Sequence, residues 1–432
     1  AQRTALFRTK SPADRVAALD KRIDAAWTDY QAARAKLAAA DPQALDFTEA
    51  ATLGLNEVQR EALDPGTLLL EYSLGEQHSY VWAVSQNELH GYELAPSDQI
   101  EEAAHAFWEA VKSGSDMASV QRAGTRLSGL VLGPVRALLG NRRLLIVAAG
   151  ALQYVPFAAL ADPAQSTYRP LATSHEIVYE PSAASLVLMR RRVAGENKSA
   201  PRTLAIFADP VFEANDSRLR ATAQATKQNY SQTRAGELNL ARLPATRQEA
   251  RSIAALLPES NRWLALDFDA SREAVTSTRL GDARIIHLAT HGLIEASHPE
   301  LSAVVLSLWN AKGEPQDGFL RLYEIYNLKI RADLVVLSAC QTALGKNIQG
   351  EGLVGLARGF MHAGAPRVVA SLWKVDDQAT AELMRQFYAA MLGPRKLPAA
   401  AALRAAQQSV AAQERWRSPY FWAAFELQGE WK

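Results

Sequence analysis

The sequence predicts an α/β protein built on a mostly parallel β-sheet flanked by helices in three layers. In the second half of the chain, short apolar runs alternate with amphipathic segments, which is typical of strands connected by helices. Several of these runs are apolar throughout, as expected of strands that are buried on both faces. The first half adds an amphipathic segment and a β-rich region. A chain of 432 residues is long enough for two or three domain-sized units.

Residues 12–40 are predicted to form a helix, because apolar side chains recur there at three- and four-residue steps. Ser11 suits the cap of this helix and Pro12 suits its first turn. The apolar stripe must be covered either by the helix's own domain or by a helical array of which it is the end. We therefore assign residues 1–64 to an N-terminal helical segment.

A β-rich region opens the second unit, residues 65–195, and polar turns separate its strands. A helix is expected to follow Pro96-Ser97, which provides a start signal. The predicted strands are Thr67–Ser73, Ser79–Val84, Leu89–Leu94, 144–147 and 176–179, the predicted helices are 98–112 and 182–190, and 151–160 is a turn leading into a helix.

The third unit, residues 201–432, follows a polar linker at 195–201. Residues 212–245 lack periodicity, and a loop of this length in a compact domain is usually functional or disordered. The predicted strands are 203–208, 284–290, 302–308, 333–339, 366–372 and 421–427, and the predicted helices are 246–257, 271–278, 352–363, 376–391 and 398–414.

Composition limits the classes of function. A net charge of +1 provides no general attraction for nucleic acids or anionic membranes. No apolar stretch approaches ~18 residues, so no transmembrane helix is expected. The first ten residues lack the apolar core of a signal peptide. A single cysteine excludes an intramolecular disulfide and fits a reducing compartment, so we expect a cytoplasmic protein.

Two predicted strands end in residues that carry chemistry. Cys340 ends the apolar run 334–339, and His291 follows the run 284–290 about 50 residues upstream, a caspase-type spacing. Active groups of parallel sheets lie at such carboxyl ends. A thiol needs an adjacent imidazole to be a good nucleophile at neutral pH, so the pair predicts a cysteine peptidase. The alternative is a buried cysteine and a loop histidine bonded to a carbonyl group.

No metal or cofactor site is expected. His287 lies four residues before His291, but it falls on an apolar strand, where a hydrogen-bonded core histidine is the usual role. The glycines between residues 345 and 359 fit neither a P-loop nor a dinucleotide-binding fingerprint.

Six segments together carry a resemblance to a known family. They are 145–160, which contains QYVPFAAL, 243–250 (LPATRQEA), 287–292 (HLATHG), 337–342 (LSACQT), 350–358 (GEGLVGLAR) and 370–380 (ASLWKVDDQAT). The chain resembles the bacterial CHAT domain, a caspase- and separase-like group often attached to tetratricopeptide repeats. The resemblance covers about residues 60–432, so the N-terminal helices at most resemble the end of a repeat array.

The resemblance implies a cysteine endopeptidase with His291 and Cys340 as its dyad. The catalytic lobe would be 201–432, packed beside a related but inactive lobe at 65–195. The N–H groups of Gly292 and Cys340 are the expected oxyanion donors. Members of the family act in bacterial defence, and the N-terminal helices are a candidate surface for an activating protein.

The acidic residues after strand 366–372 have two interpretations. Asp376 and Asp377 follow the turn at Trp373 and could cap the next helix. Alternatively, this segment lines the pocket for the residue before the cleaved bond, as its similarity to separases, which cut after Arg, implies. Asp209, at the end of strand 203–208, is a second candidate for that pocket. A carboxylate there would select Arg or Lys.

Three further expectations concern activity and regulation. The dyad could be idle, which would make the chain a non-catalytic interaction module, or it could serve an amidase or acyltransferase of a small molecule. The expected partner of the active enzyme is a protein or peptide substrate. The loop 212–245 is a candidate for self-cleavage because of its basic residues, which include Arg218, Arg220, Lys227, Arg234 and Arg242.

Overall fold

The computed structural model describes residues 53–194, 200–219, 240–295, 298–338, 340–344, 351–373 and 376–431, with a few exposed helical positions between residues 21 and 32. For 340–344 and 351–354 it describes the backbone only. Most of the predicted helix 12–40 and the loop segment 220–239 therefore lie outside the described residues.

Strands of the described residues belong to one large and one small sheet. They are β1 (Thr67–Ser73), β2 (Ser79–Val84), β3 (Leu89–Leu94), β4 (Arg143–Val147), β5 (Ile177–Tyr179), β6 (Arg202–Pro210), β7 (Arg262–Asp267), β8 (Ala283–Ala289), β9 (His291–Glu295), β10 (Ala303–Val305), β11 (Phe319–Arg321), β12 (Leu334–Leu337), β13 (Cys340–Leu344), β14 (Arg367–Ser371) and β15 (Phe425–Gly429).

The large sheet has 11 strands in the order β3-β2-β1-β4-β5-β15-β14-β12-β8-β6-β7. Most of its strand pairs are parallel, and only β1–β2, β2–β3 and β14–β15 are antiparallel. β5 pairs with β15, which joins the strands of residues 65–195 to those of 201–432. The two predicted lobes thus share a single sheet. The small sheet has the order β11-β10-β9-β13 and extends from the end of β8.

Helices cover the sheet, as the alternating pattern predicts. The longer ones are α1 (Ser97–Lys112), α2 (Met117–Val131), α3 (Ala183–Ala194), α4 (Pro244–Ala254), α5 (Glu351–His362), α6 (Asp377–Leu392) and α7 (Ala399–Ala411). Helix α6 packs against both α4 and α7, and α5 packs on β14. Short helices are formed by Leu55–Glu57, Val58–Ala62, Arg136–Leu139, Arg272–Thr276 and Leu322–Ile325.

The predicted strands Thr67–Ser73, Ser79–Val84 and Leu89–Leu94 are confirmed with the same bounds. The sequence did not predict α2, where Gly124 and several Ser and Thr residues lower the intrinsic helix propensity. Packing explains the helix, because a Cβ atom at Gly124 would lie 3.0 Å from the Phe107 ring of α1. The sequence also missed β7 and three strands of the small sheet, β9, β11 and β13, whereas β10 lies within the predicted strand 302–308. Residues 151–160 form two 3₁₀ turns rather than an α-helix.

His287 lies in the core of the large sheet, where its side chain is fully buried. Its Nδ1 is 3.0 Å from the Tyr388 hydroxyl, and its Nε2 is 2.9 Å from a carboxylate oxygen of Glu249. Burial, and then the nearby Glu249, raise the pKa of Tyr388 well above its usual range, so its hydroxyl remains a donor. The prediction of a hydrogen-bonded core histidine is confirmed.

Glu249→Ala should lower the free energy of unfolding by about 3 kcal/mol, because it removes the partner of a buried polar group. Glu249→Gln keeps an acceptor oxygen and should cost less than half as much. Urea unfolding followed by tryptophan fluorescence would measure both changes. Glu273→Ala, at an exposed position, is the control. If Glu249→Ala were as stable as Glu273→Ala, the bond between Glu249 and His287 would contribute nothing to stability.

Candidate active site

His291 is the first residue of β9, directly after β8 leaves the large sheet. Its neighbour Thr290 is fully buried and donates its hydroxyl to the carbonyl oxygen of Val305. His291 also pairs with Val305 in the register of β9 and β10. The backbone at His291 is therefore held in place by pairing with β10 and by the buried hydrogen bond of the preceding residue, Thr290.

The His291 imidazole is 6 % exposed and has two described neighbours that set its orientation. Its Nε2 lies 2.7 Å from the carbonyl oxygen of Ala241, and the Phe212 ring packs on it with 4.9 Å between centroids. A carbonyl oxygen only accepts hydrogen bonds, so Nε2 carries the proton. In the neutral ring, Nδ1 is then the basic nitrogen.

The position of Ala241 depends on a small apolar cluster beside β9. Leu240 is fully buried in this cluster, which holds the chain just before Ala241 in place. Phe212 belongs to the same cluster, so both described ends of the long loop are anchored next to His291. The cluster consists of Phe212, Leu240, Leu293, Ala303, Val305, Leu308 and Phe319.

Cys340 is the first residue of β13, which pairs in parallel with β9. In the register of that pair Cys340 lies opposite His291, and Gln341 lies opposite Gly292. Adjacent strands are about 4.8 Å apart, so the two backbone positions are close neighbours. The sequence prediction that both residues lie at the same edge thus agrees with the backbone geometry, and their roles remain a proposal.

Asp209, at the end of β6, lies in a cluster of ion pairs next to this edge. Its carboxylate has no exposed surface. Arg242 donates to both of its oxygens, at 3.0 and 2.8 Å, and Arg247 donates at 2.7 Å. Arg218 lies 3.2 Å away. We call this group the arginine–aspartate cluster, and it consists of Asp209, Asp216, Asp267, Arg218, Arg242 and Arg247.

The aspartates at the ends of β6 and β7 have unusual backbone conformations. Asp209 has a φ of 48° and Asp267 a φ of 56°, a region that costs energy for residues other than glycine. Both carboxylates thereby bind the same two guanidinium groups, those of Arg218 and Arg247. Strain held by such contacts often accompanies function.

Asp209 remains charged in spite of its burial. Burial opposes ionisation, but the hydrogen bonds from Arg242 and Arg247 and the charge of Arg218 outweigh it. The pKa of Asp209 therefore lies below its usual range. Arg218 and Arg242, which the sequence placed in a polar loop, are instead held by these ion pairs. Arg220, Lys227 and Arg234 lie outside the described residues.

The other predicted pocket residues have structural contacts. One oxygen of Asp376 accepts the N–H groups of Gln378 and Ala379, both at 3.0 Å, which makes Asp376 the N-cap of α6. Asp377 lies in the first turn of that helix. Trp373 is 1 % exposed, and its indole N–H donates to the carbonyl oxygen of Tyr420.

Sequence reasoning missed the residues that orient His291. Ala241 acts through its carbonyl group, which every residue has, so no side-chain pattern could reveal it. Phe212 had no signal beyond its apolar character. The basic partners of Asp209 were visible only as scattered arginines, because Arg218 and Arg242 are far apart in sequence. Among the described residues, no group of three or more His, Cys, Asp or Glu side chains is placed to hold a metal ion.

The comparison with protein families agrees with this geometry. A family model described as the CHAT domain matches residues 121–430. The match covers well over half of the chain, so the chain belongs to the CHAT domain family. The large, mostly parallel sheet flanked by helices is similar to that of caspase-like folds. None of the helices in the described ranges is long and apolar enough to span a bilayer.

Relatives by sequence include Tetratricopeptide repeat protein 28. The Mus musculus protein is 36 % identical over 106 residues, which are 24 % of this chain and 4 % of that protein. The Homo sapiens protein is 25 % identical over 318 residues, 67 % of this chain and 12 % of that protein. The chain therefore corresponds to a small part of these relatives.

A similar solved structure is that of the Saccharomyces cerevisiae separase–securin complex. The match has a TM-score of 0.56 and 9 % identity, and it covers 87 % of this chain and 30 % of that chain. At this identity the likeness is one of fold. It confirms the predicted separase-like architecture.

Asp376→Ala should lower the free energy of unfolding by about 1 kcal/mol, the usual cost of removing an N-cap. Asp376→Ser should retain most of that stability, because serine also accepts a backbone N–H. Thermal and urea unfolding would compare the two variants. Equal stability of the alanine variant and the unchanged protein would contradict the capping role.

Proposed function

We propose that the chain is a cysteine endopeptidase that cleaves a protein substrate with Cys340 and His291. The observation that carries the proposal is the register of β9 and β13, which places the two residues opposite each other. The orientation of the imidazole by Ala241 supports it, because the protonated Nε2 leaves Nδ1 as the base. Membership of the CHAT domain family gives the proposal its chemical class.

The proposed reaction transfers the thiol proton of Cys340 to Nδ1 of His291. The thiolate attacks the carbonyl carbon of the scissile peptide bond and forms a tetrahedral intermediate. When the C–N bond breaks, the leaving amine takes the proton from the imidazolium. Water, deprotonated by the same imidazole, then hydrolyses the thioester and regenerates the thiol.

Backbone N–H groups of Gly292 and Cys340 are the proposed donors to the oxyanion. Gly292 lies next to the imidazole and is buried in the small sheet. Without a side chain, it lets a substrate carbonyl approach the backbone closely. Such preorganised donors stabilise the charge that develops in the transition state.

Cys340→Ala and His291→Ala should each lower kcat/KM for peptide cleavage by roughly 10³-fold or more, because the two groups act as a unit. The double variant should lose little more than either single variant. Peptide-library cleavage followed by mass spectrometry would measure the rates. His105→Ala, at an exposed position of α1, is the matched control and should cleave normally.

A Cys340→Ala variant that cleaves at the normal rate would contradict the proposed mechanism. Folded protein that cleaves no peptide at all, with an unreactive Cys340, would favour the interaction module. Turnover of small amides without peptide cleavage would favour the amidase or acyltransferase.

We also propose that the enzyme prefers Arg or Lys before the scissile bond and that Asp209 recognises it. Asp209 supports this proposal because its two carboxylate oxygens already accept two hydrogen bonds from the guanidinium of Arg242, the residue after Ala241. Arg242 has the most exposed side chain of the three arginines around Asp209, at 37 % against 14 % and 21 %. A substrate guanidinium could replace it without breaking the inner pairs. Asp376 is the second candidate, with one carboxylate oxygen engaged in capping.

Two variants of this pocket should change specificity in opposite directions. Asp209→Asn should lower cleavage after Arg relative to Leu by roughly ten- to hundredfold, the value of one charge-assisted pair. Arg242→Ala should lower KM for Arg substrates, because it removes the competing guanidinium. Asp376→Ser keeps the helix cap and should leave the preference unchanged.

A preference that falls with Asp376→Ser and survives Asp209→Asn would assign the pocket to Asp376. A normal enzyme that prefers apolar residues at this position would remove both aspartates from the pocket. The measurement is kcat/KM on paired peptides that differ only at the residue before the cleaved bond.

The cellular setting follows from the same chemistry. A catalytic thiol has to stay reduced, so we propose that the protein acts in the cytoplasm. The role in bacterial defence and the activating partner of the N-terminal helices rest on the family resemblance. Self-cleavage in the loop 212–245 remains part of the proposal.

A further inference from the structure

A small cavity lies where the two halves of the large sheet meet. It is formed at β4, β5 and β15, and Glu180 follows directly after β5. The cavity has a volume of about 20 Å³, slightly more than the room that one water molecule needs. Its polar lining includes Glu180, Glu426, Gln153, Gln428 and Tyr179.

Two of these lining residues are buried carboxylates with unsatisfied oxygens. Glu180 and Glu426 are each 5 % exposed. Neither oxygen of Glu180 has a hydrogen-bond partner among the described residues, and neither does Oε1 of Glu426. A buried carboxylate without a partner is costly, and such a group in a native structure needs a ligand or a proton to offset the cost.

The ionisation of both groups agrees with an uncompensated site. Burial raises the pKa of Glu180 well above its usual range, the charge of Glu430 raises it further, and Arg190 opposes the shift. Burial likewise raises the pKa of Glu426, and a hydrogen bond with Tyr179 opposes this shift only in part. Without a cation, both carboxyl groups tend to hold protons.

We propose that this cavity binds a single Ca²⁺ ion between Glu180 and Glu426. The lining offers oxygen ligands of the kinds that Ca²⁺ takes, namely the carboxylates of two Glu side chains and the amide carbonyls of two Gln side chains. Two carboxylates balance the charge of one divalent ion. Mg²⁺ fits less well, because it demands near-ideal octahedral geometry and gives up its water reluctantly.

Arg358 is the one basic residue among the described residues that line the cavity, and its side chain is exposed. Solvent screens an exposed charge, so Arg358 offsets the two buried carboxylates less than a buried cation would. The proposed site has two carboxylate ligands, Glu180 and Glu426, and its other oxygen ligands are uncharged.

The location of the proposed ion indicates how binding would affect stability. Glu180 belongs to the first half of the sheet and Glu426 to β15, so the ion would link the two halves across the β5–β15 pair. Arg358 lies on α5, the helix that follows the segment after Cys340. Ca²⁺ should therefore stabilise the joint between the halves of the sheet, independently of any peptidase activity.

Thermal unfolding of the full chain with CaCl₂, MgCl₂ or KCl, after treatment with a chelator, tests the proposal. CaCl₂ at about 100 times its dissociation constant should raise Tm by roughly 3 °C. The shift should shrink as the pH falls, because carboxyl groups must lose their protons to bind the ion. Titration calorimetry should give one ion per chain.

Glu180→Gln and Glu426→Gln should abolish the Ca²⁺ shift while leaving the ion-free Tm equal or higher, because each removes a buried carboxyl group that has at least one oxygen without a hydrogen-bond partner. This opposite sign separates loss of binding from loss of folding. Glu76→Gln, at an exposed position, is the control and should keep the full shift.

Three results would overturn the proposal. The first is the absence of a Ca²⁺ shift in the unchanged protein. The second is a shift that survives in both glutamine variants, which would place the ion elsewhere. The third is a response to K⁺ or Mg²⁺ that equals or exceeds the response to Ca²⁺.

Discussion

The parallel pairing of β9 with β13 is the constraint on which the candidate site depends. In the large sheet, β8 and β12 are parallel neighbours, so the two strands end side by side at the same edge of the sheet. Each then leaves that sheet and continues into the small one, where the register sets Cys340 opposite His291. A register shift of one residue would move the two positions apart. β10 supports β9 from the other side, so the histidine strand is held by ladders on both of its edges.

The loop before α4 supplies the second part of the site. Three consecutive residues of this loop have three different roles. The side chain of Leu240 is buried, the carbonyl oxygen of Ala241 accepts a hydrogen bond from the His291 imidazole, and the guanidinium of Arg242 pairs with Asp209. A displacement of this segment would change the orientation of the base and the charge around Asp209 together. The three arginines and three aspartates of the cluster balance one another in formal charge. A charged substrate side chain would therefore have to exchange with a resident one.

Sequence patterns predicted the large sheet because its strands are strongly apolar and its helices are amphipathic. They also predicted His291 and Cys340 as strand-end residues, and His287 as a core residue. In the small sheet, β10 falls within the predicted strand 302–308, but β9 and β13 were not predictable, because residues such as Gly292 and Gln341 have no strand pattern and form strands only through tertiary pairing. The role of Asp376 could not be predicted from its residue type, because a carboxylate after a turn can either cap the next helix or line a substrate pocket. Its backbone contacts establish the cap.

The proposed mechanism requires that His291 activates Cys340, and alkylation kinetics test this requirement directly. Cys340 is the single cysteine of the chain, so iodoacetamide labelling followed by intact mass reports on it alone. We expect the labelling rate of the unchanged protein to rise through an apparent pKa well below the usual value of about 8.5 for a thiol. His291→Ala should restore the usual value. Identical pH profiles for the two proteins would contradict the proposed dyad.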